Sequence, residues 1–403
     1  MDEPIEIVEN VYWVGVNDRE TDLFESLWPL PYGVSYNSYL IVDEKVALVD
    51  TVKFTTTSAY IHKLKKLVGG EKKIDYLIIN HMEPDHSGSI KAMVDMFPDI
   101  KLVGNAKTAK FLDDFYEITD NIHIVKENDV IDLGSRKLRF VMTPMVHWPE
   151  TMMTYEQKDR ILFSGDAFGG FGALDGNIFD DELNKEYYED EISRYFTNIV
   201  AKYSPMVQAA LKKLSSVDVK IVCATHGPIW RKDPGYIIDF YDRLSSMETK
   251  DGVAIVYGSM YGNTKKMAER VARKLSEEGI ENIRIFDASR THLSYLVNET
   301  WKYTGILIGT PTYNTGMFPP IDELVHFLEK SRIKNHVIGV FGSCGWGGGG
   351  VKALQEFGKS SFCKFVEPVV EAKGAPTEED LQKLEEMAEN FVSALREMSC
   401  DTE

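Results

Sequence analysis

At 403 residues the chain has room for two or three domains, each able to bury a core of its own. Hydrophobic residues make up 43% and charged residues 27%, without low-complexity tracts or internal repeats, which excludes wholesale disorder. The net charge of −18, with no basic patch to interrupt it, argues against nucleic-acid partners and against anionic membrane surfaces.

No stretch approaches the roughly 18 apolar residues of a membrane span, and the acidic start Met1-Asp2-Glu3 lacks the basic segment of a secretory signal. A cytoplasmic protein is expected. Cys223, Cys344, Cys363 and Cys400 form no CxxC pair and read as reduced thiols, not as disulfides or a zinc or rubredoxin-type iron site. In chain order, residues 35–42, 46–52, 74–80, 101–104, 137–142, 151–155, 161–164 and 220–224 read as strands, and 58–67 and 87–96 as helices, giving a mixed α/β first half. A helix over 233–247 runs into the polar stretch 248–252, which sets a domain boundary between residues 1–250 and 251–403. Beyond it, strands at 253–257, 283–287, 305–309 and 337–341 alternate with helices, and 378–398 is a final amphipathic helix. This alternation predicts a doubly wound parallel sheet.

In the first half, four potential ligands (His81, Glu83, Asp85 and His86) crowd into six positions behind the apolar strand 76–79. Such density is costly unless a cation sits there. Alternate residues of an extended turn point the same way, so His81 and Glu83 can share one metal while Asp85 or His86 reaches a second. Three further strand ends bring His147, Asp166 and His226, each flanked by small residues or proline. His62, His123, His292, His326 and His336 stand alone and read as structural. The order of the four blocks resembles the metallo-β-lactamase fold, an αββα sandwich. Glu83 stands where the hydrolases of that superfamily carry a histidine, and three histidines with three carboxylates suit iron better than zinc. Two ferrous ions against three carboxylates leave one positive charge, which a bridging hydroxide would neutralise.

In the second half, the strand 253–257 enters Gly258-Ser259-Met260-Tyr261-Gly262-Asn263-Thr264 at the start of a helix, where hydroxyls and backbone N–H groups converge on a phosphate. The loop lacks the GKS/T and GxGxxG patterns, so a monophosphate is expected. Two more loops follow strands of the same sheet: Pro311-Thr312-Tyr313-Asn314-Thr315 and Ser343-Cys344-Gly345-Trp346-Gly347-Gly348. An aromatic in each can flank a planar ring. This half resembles flavodoxin, whose cofactor is FMN.

The two halves together resemble the flavodiiron proteins, oxygen and nitric oxide reductases that pair a diiron centre with FMN. The resemblance implies that His81, Glu83 and His147 bind one iron, Asp85 and His226 the other, and Asp166 bridges them. It sets His86 aside, turned away from iron, and places Tyr195 beside the diiron pocket. No segment follows Glu403, so the rubredoxin fused to some relatives is expected to be absent. Electron counting agrees with the resemblance: reducing O2 to two waters takes four electrons, matching two from the flavin and two from the irons, while reducing two NO to N2O takes two. The expected donor is rubredoxin, a reduced deazaflavin or another reductase. A linker as short as residues 248–252 gives no reason for the two cofactor sites to face each other within a chain, and relatives solve this as head-to-tail dimers. A homo-oligomer is therefore expected, as such a dimer or a dimer of dimers. Two other readings stay open: a dizinc hydrolase with an accessory flavodoxin domain, against which Glu83 speaks, and a non-catalytic flavin electron carrier, against which the intact ligand set speaks.

Overall fold

The computed structural model describes residues 3–68 and 73–400, with side chains through residue 398. Met1, Asp2, the Cys400 thiol and the Glu403 end, on which expectations were placed, lie outside the described residues. The chain divides into two compact units, Met1–Ser245 and Ser246–Glu403.

The first unit holds two main sheets and two two-stranded ribbons, Val16–Asp18 with Val34–Tyr36 and Leu23–Phe24 with Trp28–Pro29. Of the main sheets, one runs Ile5–Val8, Val11–Trp13, Tyr39–Val42, Val46–Val49, Tyr76–Ile78, Lys101–Gly104 and Ile122–Ile124 in spatial order; the other runs Val130–Asp132, Lys137–Met142, Met152–Glu156, Ile161–Gly165 and Ile221–Ala224. They meet face to face, with the Tyr39 ring 5.1 Å from that of Phe163. Alternate residues of each strand point into this interface. Helix Ala106–Tyr116 packs on Lys101–Gly104 and Ile122–Ile124 of the first sheet. Its cap is a reciprocal pair in which Asn105 accepts from the Lys107 and Thr108 amides and Thr108 accepts from Asn105.

Two elements differ from expectation. The strand expected over 35–42 is two, Val34–Tyr36 and Tyr39–Val42. The cause is Asn37, whose side-chain oxygen accepts from Trp13 Nε1 at 2.8 Å while its amide donates to the Ala224 and Gly227 carbonyls at 2.9 Å. That break ties the first sheet to the loop of His226. The helix expected over 87–96 is a turn at Pro84–Ser87 and a separate helix, Ile90–Met96. Between them Gly88 presses on the neighbouring backbone, where a Cβ would stand 2.7 Å from the Phe54 nitrogen.

The second unit is a doubly wound parallel sheet. Its strands lie in the order Ile283–Asp287, Lys250–Tyr257, Tyr303–Pro311, Lys334–Cys344 and Phe362–Phe365. Numbered by chain position this is 2-1-3-4-5, the flavodoxin-like order. A further strand, Val370–Lys373, pairs with the far end of Lys334–Cys344. Successive residues of Lys250–Tyr257 feed opposite cores: Val253, Ile255 and Tyr257 meet helices Asn263–Glu277 and Glu378–Cys400, while Val256 meets Leu293–Lys302 and Pro319–Ser331. Among the described residues no helix is long and apolar enough to cross a membrane.

Gly305 and Gly339 leave space on the sheet that the Phe391 ring fills, standing 3.0 and 3.3 Å from where their Cβ atoms would be. Phe391 is fully buried. Phe391→Ala is expected to cost about 3–5 kcal/mol, read as a lower urea midpoint for the second unit.

Candidate functional site

Every expected metal ligand sits just past the end of a strand of the first unit. His81 and Glu83 follow Tyr76–Ile78; Asp85 and His86 lie on the turn Pro84–Ser87; His147 lies between Lys137–Met142 and Met152–Glu156; Asp166 follows Ile161–Gly165; and His226 follows Ile221–Ala224. The first loop is anchored on both sides. Buried Asp50 accepts from the Asn80 amide at 2.8 Å and its side chain at 2.9 Å, and Glu150 Oε1 accepts from the Met82 amide at 2.8 Å. Neither Asp50 nor Glu150 carries a motif that sequence reasoning could have used; burial alone reveals them.

The side chains converge in two overlapping groups. His81, Glu83, His147 and Asp166 form one, and His86, Asp166 and His226 another, with Asp85 joining His81 and His86. Asp166 belongs to both groups through different oxygens: Oδ2 lies 3.2 Å from His81 Nε2 and 3.1 Å from His147 Nε2, while Oδ1 lies 3.3 Å from His86 Nε2 and 3.7 Å from His226 Nε2. Glu83 Oε2 meets His147 Nε2 at 2.8 Å, and Asp85 Oδ2 lies 3.3 Å from His226 Nε2. His226 Nδ1–H donates to the Ser35 carbonyl at 2.7 Å, which leaves Nε2 free to face the cluster.

His86 differs from expectation. Instead of turning away, its ring points Nε2 into the second group, 2.9 Å from His226 Nε2 and 3.2 Å from Asp85 Oδ2. Tyr195 reaches the cluster, its hydroxyl donating to Asp166 Oδ2 at 2.8 Å. Burial and then the Asp166 charge push its phenol well above the usual range, so it remains a donor. Thr225 was missed although it precedes His226: its hydroxyl donates to Asp166 Oδ1 at 2.5 Å. A π-helical turn, Phe196–Val200, follows Tyr195 directly.

Carboxylates and imidazoles of the cluster hold one another in their charged forms. Burial opposes ionisation of Asp166, yet the imidazoles of His81, His147 and His86 around it hold its carboxyl well below the usual carboxylate range. Burial likewise opposes charge on His86 and His147, yet Asp85 beside the first and Glu83 beside the second, with Asp166 bonded to both, lift them well above the usual histidine range. Both His81 ring nitrogens and both Asp85 carboxylate oxygens are buried without an aligned hydrogen-bond partner. Such orphan groups are costly, and nitrogen and carboxylate donors around a shared carboxylate fit a pair of metal ions. A cavity of about 540 Å³ opens beside them, with Glu25, Tyr36 and Lys53 in its wall together with Glu83 and Asp85. Glu25 and Lys53 belong to no motif and were not foreseen.

In the second unit the three expected loops line one cavity of about 560 Å³. All the expected cradle residues except Gly262 and Gly348 line it, and Gly374 joins them. Gly262 shapes the first loop at φ +91°, where Ser259 Oγ accepts from the Gly262 amide at 3.1 Å. Thr264 Oγ1 reaches Ser343 Oγ at 3.0 Å, joining the first loop to the third. Tyr313 and Gly316 exchange backbone bonds at 3.0 and 2.9 Å, closing the second loop. Trp346 is 97% exposed and Tyr261 91%. A phosphate-binding turn beside an open slot with aromatic walls fits a monophosphate bearing a planar ring.

The first unit matches a family described as ODP family beta lactamase over residues 34–227, and the second matches flavodoxin over residues 255–387. The nitric oxide reductase of Moorella thermoacetica is 34% identical over 98% of this chain and 100% of its own length. The anaerobic nitric oxide reductase flavorubredoxin of Escherichia coli O1:K1 is 33% identical over 87% of this chain and 74% of its own. Among solved structures, the rubredoxin oxygen:oxidoreductase of Desulfovibrio gigas superposes with a TM-score of 0.94 at 28% identity, covering 98% of this chain and 99% of that one. The flavodiiron protein of Giardia intestinalis superposes at 0.91 with 27% identity, covering 98% of each chain.

Gly349 has φ +146°, and a Cβ there would fall 2.0 Å from the Thr315 carbonyl oxygen. Gly349→Ala is therefore expected to push the second and third loops apart and to weaken FMN binding by about tenfold or more. Titration of the flavin-free protein with FMN, followed by fluorescence quenching, measures it.

Proposed function

The chain belongs to the flavodiiron protein family, and from that membership we propose that it is an oxidoreductase that reduces O2 to water, NO to N2O, or both, using FMN and a diiron centre. The observation that carries this reading is the split of Asp166, one oxygen toward each ligand group, in a chain that also forms a flavin cradle. We assign His81, Glu83 and His147 to one iron, Asp85, His86 and His226 to the other, and Asp166 to both. When bound, the two irons and the reduced flavin supply the four electrons O2 requires, or the two needed to join two NO.

The protein's own groups orient and protect this chemistry. Asp50 and Glu150 hold the backbone of the ligand loop, so His81 and Glu83 are placed before metal arrives. Thr225 and Tyr195 each donate to one Asp166 oxygen, fixing the plane of the bridging carboxylate. The Tyr195 hydroxyl keeps its proton beside the pocket. In the cradle, the Ser259 to Thr264 loop takes the phosphate, and the 311–315 and 343–348 loops take the ring.

The remaining assignments extend this reading. The donor is an external carrier such as rubredoxin or a reduced deazaflavin, and the protein works in the cytoplasm. It assembles as a head-to-tail dimer, or a pair of such dimers, in which electrons pass from the flavin of one chain to the irons of its partner. The assembly is tested by mixing a His81→Ala His147→Ala variant with one whose cradle is disabled, each inactive alone. Activity restored in the heterodimer supports transfer between chains; inactive heterodimers refute it.

The function is tested by mixing the reduced protein anaerobically with O2 and, separately, with NO. Flavin reoxidation within a single turnover by at least one of them is expected, and a flavin that stays reduced with both would sink the assignment. His81→Ala, His147→Ala and His226→Ala are each expected to lose iron and turnover while retaining yellow flavin. His86→Ala is expected to fall from about two irons per chain to about one by metal analysis; full retention would remove His86 from the ligand set.

A further inference from the structure

The strand Val370–Lys373 belongs to none of the three cradle loops, yet it runs beside the third. It pairs in parallel with the end of Lys334–Cys344, setting Glu371 opposite Gly342 and Lys373 opposite Cys344. Val370 and Ala372 are buried, so Glu371 and Lys373 share the exposed face. From there the Glu371 carboxylate touches two loops at once. Oε1 lies 3.5 Å from Thr312 Oγ1 in the second loop, and Oε2 lies 2.8 Å from where a Cβ of Gly348 would stand in the third. A side chain at position 348 would displace the carboxylate from this place. Thr312 Oγ1 also accepts from the Gly350 amide at 3.1 Å, so hydroxyl, amide and carboxylate form one chain across the cradle rim.

The charge of Glu371 is felt at the cavity wall. Thr312 and Cys344 both line the cavity. The Cys344 thiol is pushed up by burial and then by Glu371, with Lys373 pulling the other way. Full reduction of a flavin takes up two electrons and, at neutral pH, one proton, and so leaves the ring with one more negative charge than before. The electrons come from the external donor and the proton from solvent. A fixed carboxylate beside the ring disfavours that added charge, and a neighbouring ammonium favours it.

We propose that Glu371 is a positioning residue that sets the reduction potential of FMN: it bridges the second and third loops and holds a negative charge behind the Thr312 and Cys344 wall of the ring site, making the flavin harder to reduce and a stronger donor once reduced. Lys373 acts in the opposite sense. The proposal rests on reading the cradle as the FMN site.

The test uses the full-length, flavin-loaded protein. Glu371→Gln keeps the shape and an acceptor for Thr312 but removes the charge. Its two-electron midpoint, measured by anaerobic titration against a reference dye, is expected to rise by about tenfold in the reduction equilibrium, or about 30 mV. FMN affinity should stay within about threefold. Lys373→Gln is expected to lower the midpoint, and both shifts should shrink when ionic strength rises from about 0.01 to 1 M. Glu371→Ala, which also breaks the tie to Thr312, should add a loss of FMN affinity. A Glu371→Gln protein that holds FMN at an unchanged midpoint overturns the proposal, as does a shift of the same sign for Glu371→Gln and Lys373→Gln. Wild-type protein that binds no FMN would instead refute the cradle reading itself.

Discussion

The site of the first unit is organised around one buried carboxylate, Asp166. It lies at the end of a strand, almost without solvent contact, and offers each oxygen to a different set of histidines. A buried anion persists only when it is surrounded by donors or cations. Here two hydroxyls, from Thr225 and Tyr195, satisfy part of that need, and four imidazoles face the rest. The surrounding loops can be understood as the means of bringing those partners in. Asn37 breaks a strand to hold the loop of His226, and Asp50 and Glu150 pin the loop of His81 and Glu83.

The second unit obeys a different constraint. Its sheet is buried on both faces by helices, so chemistry is confined to the loops at one end of the strands. Three loops meet there, and their contacts with one another are made by hydroxyls and glycines instead of apolar packing. Thr264 reaches Ser343, Thr312 reaches Gly350, and Gly349 passes the Thr315 carbonyl with no room for a side chain. The cradle thus owes its shape to positions without bulk.

Much of this was legible in the residues because the chemistry concentrates its signals. His81 to His86 announces itself by density, and the blocks around His147, Asp166 and His226 by position after strands. What stayed hidden was held by single residues whose role depends on distant neighbours. Asn37 looks like any polar residue until its bonds to Trp13 and Gly227 are known. Glu371 sits in a short alternating strand, Val370–Lys373, that the sequence pattern did not separate from its surroundings. The strands Ile5–Val8 and Val130–Asp132 are too short and too exposed to raise a periodic signal. For His86 the limit is of another kind: spacing says that a ring is near a metal, but only rotamer and backbone decide which way its nitrogen points.

The ligands come from strand ends of both sheets. His81, Glu83, Asp85 and His86 follow the seven-stranded sheet, and His147, Asp166 and His226 belong to the five-stranded one. Metal bound between them therefore acts as a rivet through the sandwich. Its free energy of binding adds to the cohesion of the two layers, as it does wherever a site is assembled only by folding.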